Sequence, residues 1–267
     1  SGDSIAVFPS YSLTKEQQQE VLNFVKVISK ELDIHGLLNI QFVLRGGVFW
    51  IIEANPRASR TVPIVSKISK LPVIDMAVGV ALGERLRDMP YGTGLYPETG
   101  QWSVKVPVFS NDKLPGLDPK LGPRMMSTGE SLGVADNLAD AIMDGLKGSG
   151  WLPPAVGRIL MSIADSEKSE AMPVASQYKM LGWEIDATEG TAAYLKKWGI
   201  AVNPVEREEL VYRLRAGEWD LVLNIPGGNE RHIADGAMIR KQACAAGTPC
   251  LHSIAAAWAV AAGLNSR

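Results

Sequence analysis

The run Arg158-Ile159-Leu160-Met161-Ser162-Ile163-Ala164 begins the part of the chain whose pattern decides the fold. After it the apolar residues recur with helical periodicity to about residue 181. Four more short apolar runs follow, at residues 183–186, 200–205, 220–225 and 248–252. Helical segments separate them, at residues 191–198, 208–216, 234–246 and 253–262. Strands that alternate with helices predict a parallel sheet with helices on both faces, which is an α/β fold.

The first part of the chain has another pattern, which predicts an α+β region. Thr14 and Gln17 have the spacing of a capping box, and apolar residues at helical spacing follow as far as Leu32. Apolar runs at residues 40–44 and 48–54 flank Arg45-Gly46-Gly47 and predict a β-hairpin. We also predict a helix at residues 72–83, and a strand at residues 101–109 within a loop rich in Gly and Pro.

Composition excludes several classes of protein. Hydrophobic residues make up 46% of the 267 residues, which is too many for a disordered chain. The 27 basic and 29 acidic residues give a net charge of −2, so we expect neither nucleic-acid nor membrane-surface binding. No apolar run approaches the roughly 18 residues that a membrane span needs. Two cysteines cannot form a disulfide framework, and we expect a soluble, cytoplasmic protein.

Length and local composition predict two domains. At roughly 150 residues per domain, the chain has room for two of modest size. The Gly- and Pro-containing segment at residues 145–154 is the predicted boundary. The predicted domains are therefore residues 1–150 and residues 151–267.

A group of polar residues at the end of the hairpin is the first candidate site. Glu53 and Asn55 are two residues apart on a strand, so their side chains share one face. If the hairpin loop has three residues, Gln41 lies on that face too. Oxygen ligands of this kind suit Mg²⁺, and the forks of Arg57 and Arg60 suit a phosphate or a carboxylate. A surface ion-pair cluster is the alternative interpretation of these residues.

Two stretches resemble the large chain of carbamoyl-phosphate synthetase, an ATP-grasp enzyme. They are Gly36-Leu37-Leu38-Asn39-Ile40-Gln41-Phe42 and the run from Ile52-Glu53-Ala54-Asn55-Pro56-Arg57 through Arg60 to Pro63. The resemblance continues in order through Ser1 to Ser4, Val104 to Phe109, Leu121-Gly122-Pro123 and Ser127 to Glu130. Ala54 and Arg124 depart from it, since Val and Glu are usual there.

The resemblance implies roles for the hairpin residues. Gln41, Glu53 and Asn55 would bind the Mg²⁺ or Mn²⁺ that bridges the phosphates of ATP. Arg57 and Arg60 would be catalytic residues that hold the carboxyphosphate or carbamoyl-phosphate side of the reaction. ATP would bind only in the full-length chain, because the lobe with most nucleotide contacts precedes this region in the family.

The resemblance also implies what the whole protein does. The family makes carbamoyl phosphate from ATP, bicarbonate and ammonia for pyrimidine and arginine synthesis. Its partners would be a glutamine amidotransferase small subunit and the remainder of the large chain. Residues 1–150 would be the C-terminal part of the carbamate-phosphorylating ATP-grasp domain, and this chain alone would be inactive. A stand-alone effector-binding protein and another ATP-grasp ligase are the alternatives.

From about residue 156 the chain resembles the methylglyoxal-synthase-like allosteric domain of the same family, a Rossmann-like parallel-sheet fold. The resemblance implies a site for a small-molecule effector, at Ser162, Lys168, Thr188, Gly190, Thr191 and Asn224. The residues themselves support an anion site, because hydroxyls and unpaired amides gather where a strand leads into a helix. The alternatives are helix capping for the two threonines and a solvent-exposed surface position for Lys168.

The identity of the effector stays open. Methylglyoxal synthases need catalytic aspartates, and residues 224–229 contain none, so we reject that activity. Pro204 and Pro226 depart from the pattern of relatives regulated by UMP or IMP. The Asn224-Ile225-Pro226 form is more similar to animal enzymes activated by N-acetylglutamate.

Overall fold

The computed structural model describes residues 3–110, 116–120, 122, 124–151, 153–228 and 230–265. Five residues of the stretches interpreted above therefore lie outside the described residues: Ser1, Gly2, Leu121, Pro123 and Asn229. The chain forms two compact units. One consists of residues 7–101, and the other of residues 1–6 together with residues 102–267.

A five-stranded parallel sheet is the centre of the larger unit and confirms the predicted α/β fold. Its strands are β6 (Arg158–Ile163), β7 (Glu184–Thr188), β8 (Asn203–Val205), β9 (Leu221–Ile225) and β10 (Cys250–Leu251). Their order in the sheet is β10-β9-β6-β7-β8. The central strands are apolar on both faces, as expected for a sheet covered on both sides.

Five helices accompany this sheet and agree with the predicted segments. They are α5 (Lys168–Met180), α6 (Glu189–Lys197), α7 (Arg207–Arg215), α8 (Glu230–Ala245) and α9 (Ile254–Asn265). Helix α7 packs against α8, and α5 packs against α9. Leu160 and Val222 of the sheet form a buried cluster with Leu210, Leu214 and Ile239 from α7 and α8. The core of this unit therefore lies between the sheet and its helices.

The same unit contains two antiparallel strands, β4 (Trp102–Val108) and β5 (Gly129–Ala135), and helix α4 (Leu138–Gly148) packs on β5. Strand β1 is Ala6–Phe8, and the division between the two units falls within it. The pattern predicted β4 but missed β5 and α4. Two glycines interrupt the apolar pattern of β5, whereas Asn137 caps α4 by accepting a hydrogen bond from the amide of Asp140. The proposed boundary near residue 150 stays a prediction.

The smaller unit contains a hairpin and three helices. The helices are α1 (Lys15–Glu31), α2 (Thr61–Ser69) and α3 (Val73–Ala81), and the hairpin strands are β2 (Asn39–Arg45) and β3 (Val48–Asn55). The predicted capping box is confirmed, since Thr14 and Gln17 exchange side-chain and backbone hydrogen bonds. Helix α2 was missed, because Pro63 suggests a break although proline is tolerated in the first turn of a helix.

The hairpin loop is shorter than the three residues considered from the sequence. Arg45 pairs with Val48, so the turn contains only Gly46 and Gly47, both with positive φ. With this turn alone, Gln41 would lie opposite Ile52. A register shift between Gln41 and Phe42 corrects the pairing by one residue, so that Gln41 lies opposite Glu53. The bulge thus places Gln41 on the same face as Glu53 and Asn55, the face on which a three-residue loop would also have placed it.

Candidate functional site

The hairpin places the three predicted metal ligands on one face. Gln41 is directly opposite Glu53, and residues opposite each other in an antiparallel pair share a face. Asn55 is two residues beyond Glu53, so it shares the face as well. Its Nδ2 donates a hydrogen bond of 2.9 Å to Oε1 of Glu53. This bond leaves Oε2 of Glu53 and Oδ1 of Asn55 as oxygen ligands for a cation.

Asn39 is a fourth polar residue of this face, and the sequence reasoning missed it. It pairs with Asn55 in the ladder, two positions beyond the pair of Gln41 and Glu53 and therefore on the same face. The register could have revealed it, because Asn39 precedes Gln41 by two residues. The face therefore carries one carboxylate and three amides, a set that suits a hard divalent cation.

The two predicted catalytic arginines follow the hairpin in the turn that leads to α2. The amide of Arg57 donates to the carbonyl of Asn55, and its guanidinium Nη1 donates to the carbonyl of Ala58 at 2.9 Å. Arg60 is the residue before the first turn of α2. Both side chains are exposed. A short turn thus places two guanidinium groups directly after the polar end of β3.

All six predicted effector-binding residues line one cavity of about 400 Å³. Ser162 and Asn224 belong to β6 and β9, Thr188 ends β7, Gly190 and Thr191 begin α6, and Lys168 begins α5. The cavity therefore lies at the carboxyl end of the parallel sheet, where open α/β sheets commonly bind ligands. Ser162 and Asn224, which are 62 positions apart in sequence, meet there because neighbouring strands are parallel.

Lys168 is buried, so its interpretation as a solvent-exposed surface lysine is wrong. It retains 9% of its surface, and its ammonium donates to Oδ1 of Asp165 at 2.5 Å and to the carbonyl of Gly190 at 2.8 Å. The hydrogen bond from Lys168 lowers the pKa of the exposed Asp165 carboxyl. An added Cβ on Gly190 would lie 3.3 Å from the ammonium, so glycine leaves the space that Lys168 occupies.

The two threonines do not cap α6 through their side chains. The hydroxyl of Thr188 donates to the hydroxyl of Thr191 at 3.2 Å, and no side-chain cap hydrogen bond occurs at this helix start. Thr191 is 2% exposed, and its hydroxyl accepts a hydrogen bond from the amide of Ile163. The helix-capping alternative is therefore wrong. Backbone amides in the first turn of α6 remain available to an anion.

Asn224 reaches the cavity from β9 and is 1% exposed. Its Oδ1 accepts a hydrogen bond of 2.8 Å from Nη1 of Arg240 in α8. Arg240 is also 1% exposed and forms a two-pronged ion pair with Asp118, whose two carboxylate oxygens are 2.7 Å from Nε and Nη2. The sequence reasoning identified Asn224 but missed Arg240 and Asp118, which are distant in sequence.

Charged side chains near the rim of the cavity were also missed. Nη2 of Arg207, at the start of α7, is 2.5 Å from Oδ1 of Asp235 in α8, and both residues line the cavity. His232 is a further lining residue. The cavity thus combines cations with carboxylates, and an anionic ligand would share Lys168 and Arg207 with the acids that already bind them.

Two negative findings concern the described residues only. No group of three or more His, Cys, Asp and Glu side chains among them could hold a metal ion. The hairpin face is not such a group, since it contains one acid and three amides. None of the helices in the described parts of the chain is both long and apolar enough to cross a membrane.

Sequence comparisons match both parts of the chain to one kind of protein. Residues 1–89 match the family described as "Carbamoyl-phosphate synthase L chain, ATP binding domain", and residues 170–252 match the "MGS-like domain" family. The large chain of carbamoyl phosphate synthase from Lachnoclostridium phytofermentans is 37% identical over 271 residues, which cover 100% of this chain and 25% of that protein. Its counterpart from Clostridium botulinum, strain Kyoto, is 41% identical over 91% of this chain and 23% of that protein. The chain thus spans about a quarter of the length of these relatives.

Proposed function

We propose that this chain is the C-terminal part of a carbamoyl phosphate synthase large chain, because it is similar to such chains along its whole length. In this proposal the complete protein is a cytoplasmic ATP-dependent ligase. It makes carbamoyl phosphate from ATP, bicarbonate and ammonia that a glutamine amidotransferase subunit supplies. The observation that carries the proposal is the match over 100% of the chain to a relative four times as long.

The hairpin face would hold the metal ion of the carbamate-phosphorylating site. Gln41, Glu53 and Asn55 fit Mg²⁺ or Mn²⁺, because they offer one carboxylate and neutral oxygens from a rigid two-stranded support. When bound, the ion would neutralise phosphate charge. Asn55 orients Glu53 through its amide hydrogen bond, and Arg57 and Arg60 would bind the anionic phosphorylated intermediate.

The hairpin proposal can be tested in a chimera. This chain replaces the matching quarter of the Clostridium botulinum large chain, and carbamoyl phosphate formation from ATP, bicarbonate and ammonia is measured. We expect an active chimera in which Glu53→Gln lowers the rate about 10- to 100-fold, as changes at metal sites typically do. Glu20→Gln on the exposed side of α1 is the control for the charge change. Equal rates for Glu53→Gln and Glu20→Gln would contradict the role of Glu53.

The cavity at the end of the parallel sheet would be the effector site. Lys168 and the amides at the start of α6 would bind an anionic group of the effector, and Asn224 would contact the rest of it. Calorimetry and thermal unfolding of this chain with UMP, IMP, N-acetylglutamate, ornithine and MgATP test this role. A ligand at 100 times its Kd adds about 2.7 kcal/mol to the unfolding free energy. Binding of a regulatory ligand without binding of MgATP is the expected result, whereas binding of MgATP alone would contradict it.

A second candidate function is a stand-alone effector-binding protein. It is favoured by one observation, that all lining residues of the cavity come from a single compact unit. The chimera separates the two candidates. An effector-binding protein that has lost catalysis would give an inactive chimera and would still bind its ligand.

A further inference from the structure

A buried chain of polar contacts joins the proposed effector cavity to the segment at residues 116–120. Arg240 is its centre, and three of its N–H donors are engaged within 2.8 Å. Two of them contact Asp118 of that segment, and the third contacts Asn224 on the cavity wall. The side chain of Asp118 is 25% exposed, and its neighbour Leu117 is buried and anchors the segment.

The chemistry of Arg240 determines how Asn224 faces the cavity. A guanidinium only donates hydrogen bonds, so the atom of the Asn224 amide that it contacts is the oxygen. The NH₂ group is then the part of the amide left for a ligand. Asn224 can therefore donate to an acceptor such as a carbonyl, a carboxylate or a phosphate, and it discriminates against a ligand that offers a donor there.

Close packing keeps Arg240 in contact with Asn224. Gly236 is one turn before Arg240 in α8 and also lines the cavity. A Cβ at Gly236 would lie 3.0 Å from Nη1 of Arg240, 3.2 Å from Oδ1 of Asn224 and 2.9 Å from Cβ of Pro226. Glycine therefore allows the guanidinium to pass between the helix and the end of β9.

We propose that Arg240 is a positioning residue that couples the cavity to the segment at residues 116–120. This coupling rests on the proposed effector role of the cavity. It adds a route by which a ligand bound in the cavity affects residues outside the cavity. A ligand acceptor that binds the Asn224 amide strengthens the contact of its oxygen with Arg240, and Arg240 is held in place by Asp118. A substitution that weakens the contact of Asp118 with Arg240 therefore lowers the affinity of the cavity for such a ligand.

The first test needs no ligand. Asp118→Asn removes the charge of the ion pair outside the cavity lining, and the side-chain amide signals of Asn224 are followed by NMR. We expect these signals to shift in Asp118→Asn and to return toward their original positions in Asp118→Glu. Glu184→Gln is the control, because Glu184 also binds an arginine through two donors but begins β7, at the opposite end of the sheet. Unchanged Asn224 signals in Asp118→Asn would overturn the proposal.

The second test measures the coupling with a probe. UMP, N-acetylglutamate and inorganic phosphate are titrated into the parent chain, Asp118→Asn and Glu184→Gln. For any probe that binds, we expect affinity about tenfold lower in Asp118→Asn only, within the usual 5- to 150-fold range of such couplings. Equal affinities in all three proteins overturn the proposal.

The same binding experiment has a readout in the parent chain. Amide hydrogen exchange at residues 116–120 should slow when the probe binds, and unchanged exchange counts against the coupling. This measurement also decides the matter if Asp118→Asn does not fold. Absence of binding by every probe would refute the effector role itself, and the ligand-free spectra then decide the role of Arg240 separately.

Discussion

The hairpin face and the sheet-end cavity hold their polar groups in opposite surroundings. Glu53, Arg57 and Arg60 of the smaller unit are exposed, whereas Lys168, Thr191 and Asn224 of the larger unit retain at most 9% of their surface. The two units also differ in how many hydrophobic side chains they bury, and the larger unit buries more. Among residues 7–101, all of which the structure describes, Ile64 is the one buried hydrophobic side chain, and the larger unit contains an extensive core.

This difference shows which interactions fix the positions of the polar groups in each site. The hairpin ligands are aligned by backbone pairing and by one exposed side-chain hydrogen bond, so their arrangement depends mainly on a turn and a bulge. The cavity residues are held by side-chain hydrogen bonds inside a packed interior, where an unpaired polar group is costly. We therefore expect the larger unit to be the more stable, and its buried polar residues to be the more sensitive to substitution.

The largest expected loss of stability on substitution is at Asp186, a buried carboxylate of the larger unit. It accepts hydrogen bonds from Arg213 at 2.9 Å, Trp219 at 3.0 Å and Asn203 at 3.0 Å. Asp186→Ala leaves the indole N–H of Trp219 and the side-chain amide of Asn203 without this acceptor and removes one of the carboxylates that bind Arg213, which should lower the unfolding free energy by about 3–5 kcal/mol. Urea unfolding measures the loss.

The control for that substitution is Glu184→Ala two residues earlier. Glu184 also pairs with an arginine, Arg158, but its side chain is 59% exposed. An exposed pair is worth about 1 kcal/mol or less. Similar losses of unfolding free energy in Asp186→Ala and Glu184→Ala would contradict the expected difference between buried and exposed polar contacts.

The next effect concerns acid stability and His252. Burial, with the positive charge of Arg240 second, lowers the pKa of His252 to about 4, and both ring nitrogens are buried without a hydrogen-bond partner among the described residues. The ordinary value is 6.5. Between these values the unfolded chain binds more protons than the folded one, so stability falls as the pH falls. The loss should reach about 3 kcal/mol between pH 6.5 and pH 4.

The substitution His252→Leu tests this assignment. It should flatten the dependence of the unfolding free energy on pH across that window, as measured by urea unfolding at several pH values. His35→Asn is the control at an exposed histidine of the smaller unit. A slope that persists in His252→Leu would assign the acid sensitivity to other groups.

A smaller effect is expected at Gly190, where the cavity depends on close packing. Gly190→Ala places a methyl group 3.3 Å from the ammonium of Lys168 and should displace it. Affinity for the anion that binds in the ligand screen should fall about tenfold, or about 1.4 kcal/mol. Gly228→Ala is the matched control, because a Cβ there meets nothing within 4 Å. Equal affinities for the two variants would exclude Lys168 from the anion site.

The smallest effect is expected in the smaller unit, at the capping box of α1. Thr14→Ala removes the hydroxyl that accepts from the amide of Gln17 and should cost about 1 kcal/mol. Faster hydrogen exchange at the start of α1 would show this loss, with Ser12→Ala as the control. If Thr14→Ala instead destabilised the chain as much as Asp186→Ala, the smaller unit would not be the less sensitive of the two to substitution.

The sequence by itself determined the elements that depend on neighbouring residues. The alternation of apolar runs from Arg158 onward predicted the parallel sheet and its helices, and Thr14 with Gln17 predicted the start of α1. The sequence also brought Glu53 and Asn55 to one face, because residues two apart on a strand always share a face. The family assignment came from the same local segments and from their order.

Only the tertiary structure decided the features that join distant residues. The two-residue turn alone would place Gln41 on the face opposite to Glu53. A bulge beside Gln41 shifts the register by one residue and brings both side chains to one face, and no local sequence pattern predicts this bulge. Lys168 can be buried because Asp165 and the distant carbonyl of Gly190 accept hydrogen bonds from its ammonium. The contact of Arg240 with Asp118 crosses 122 positions of sequence. Hydrogen bonds of this kind depend on where the packed core places each backbone segment, which no single segment encodes.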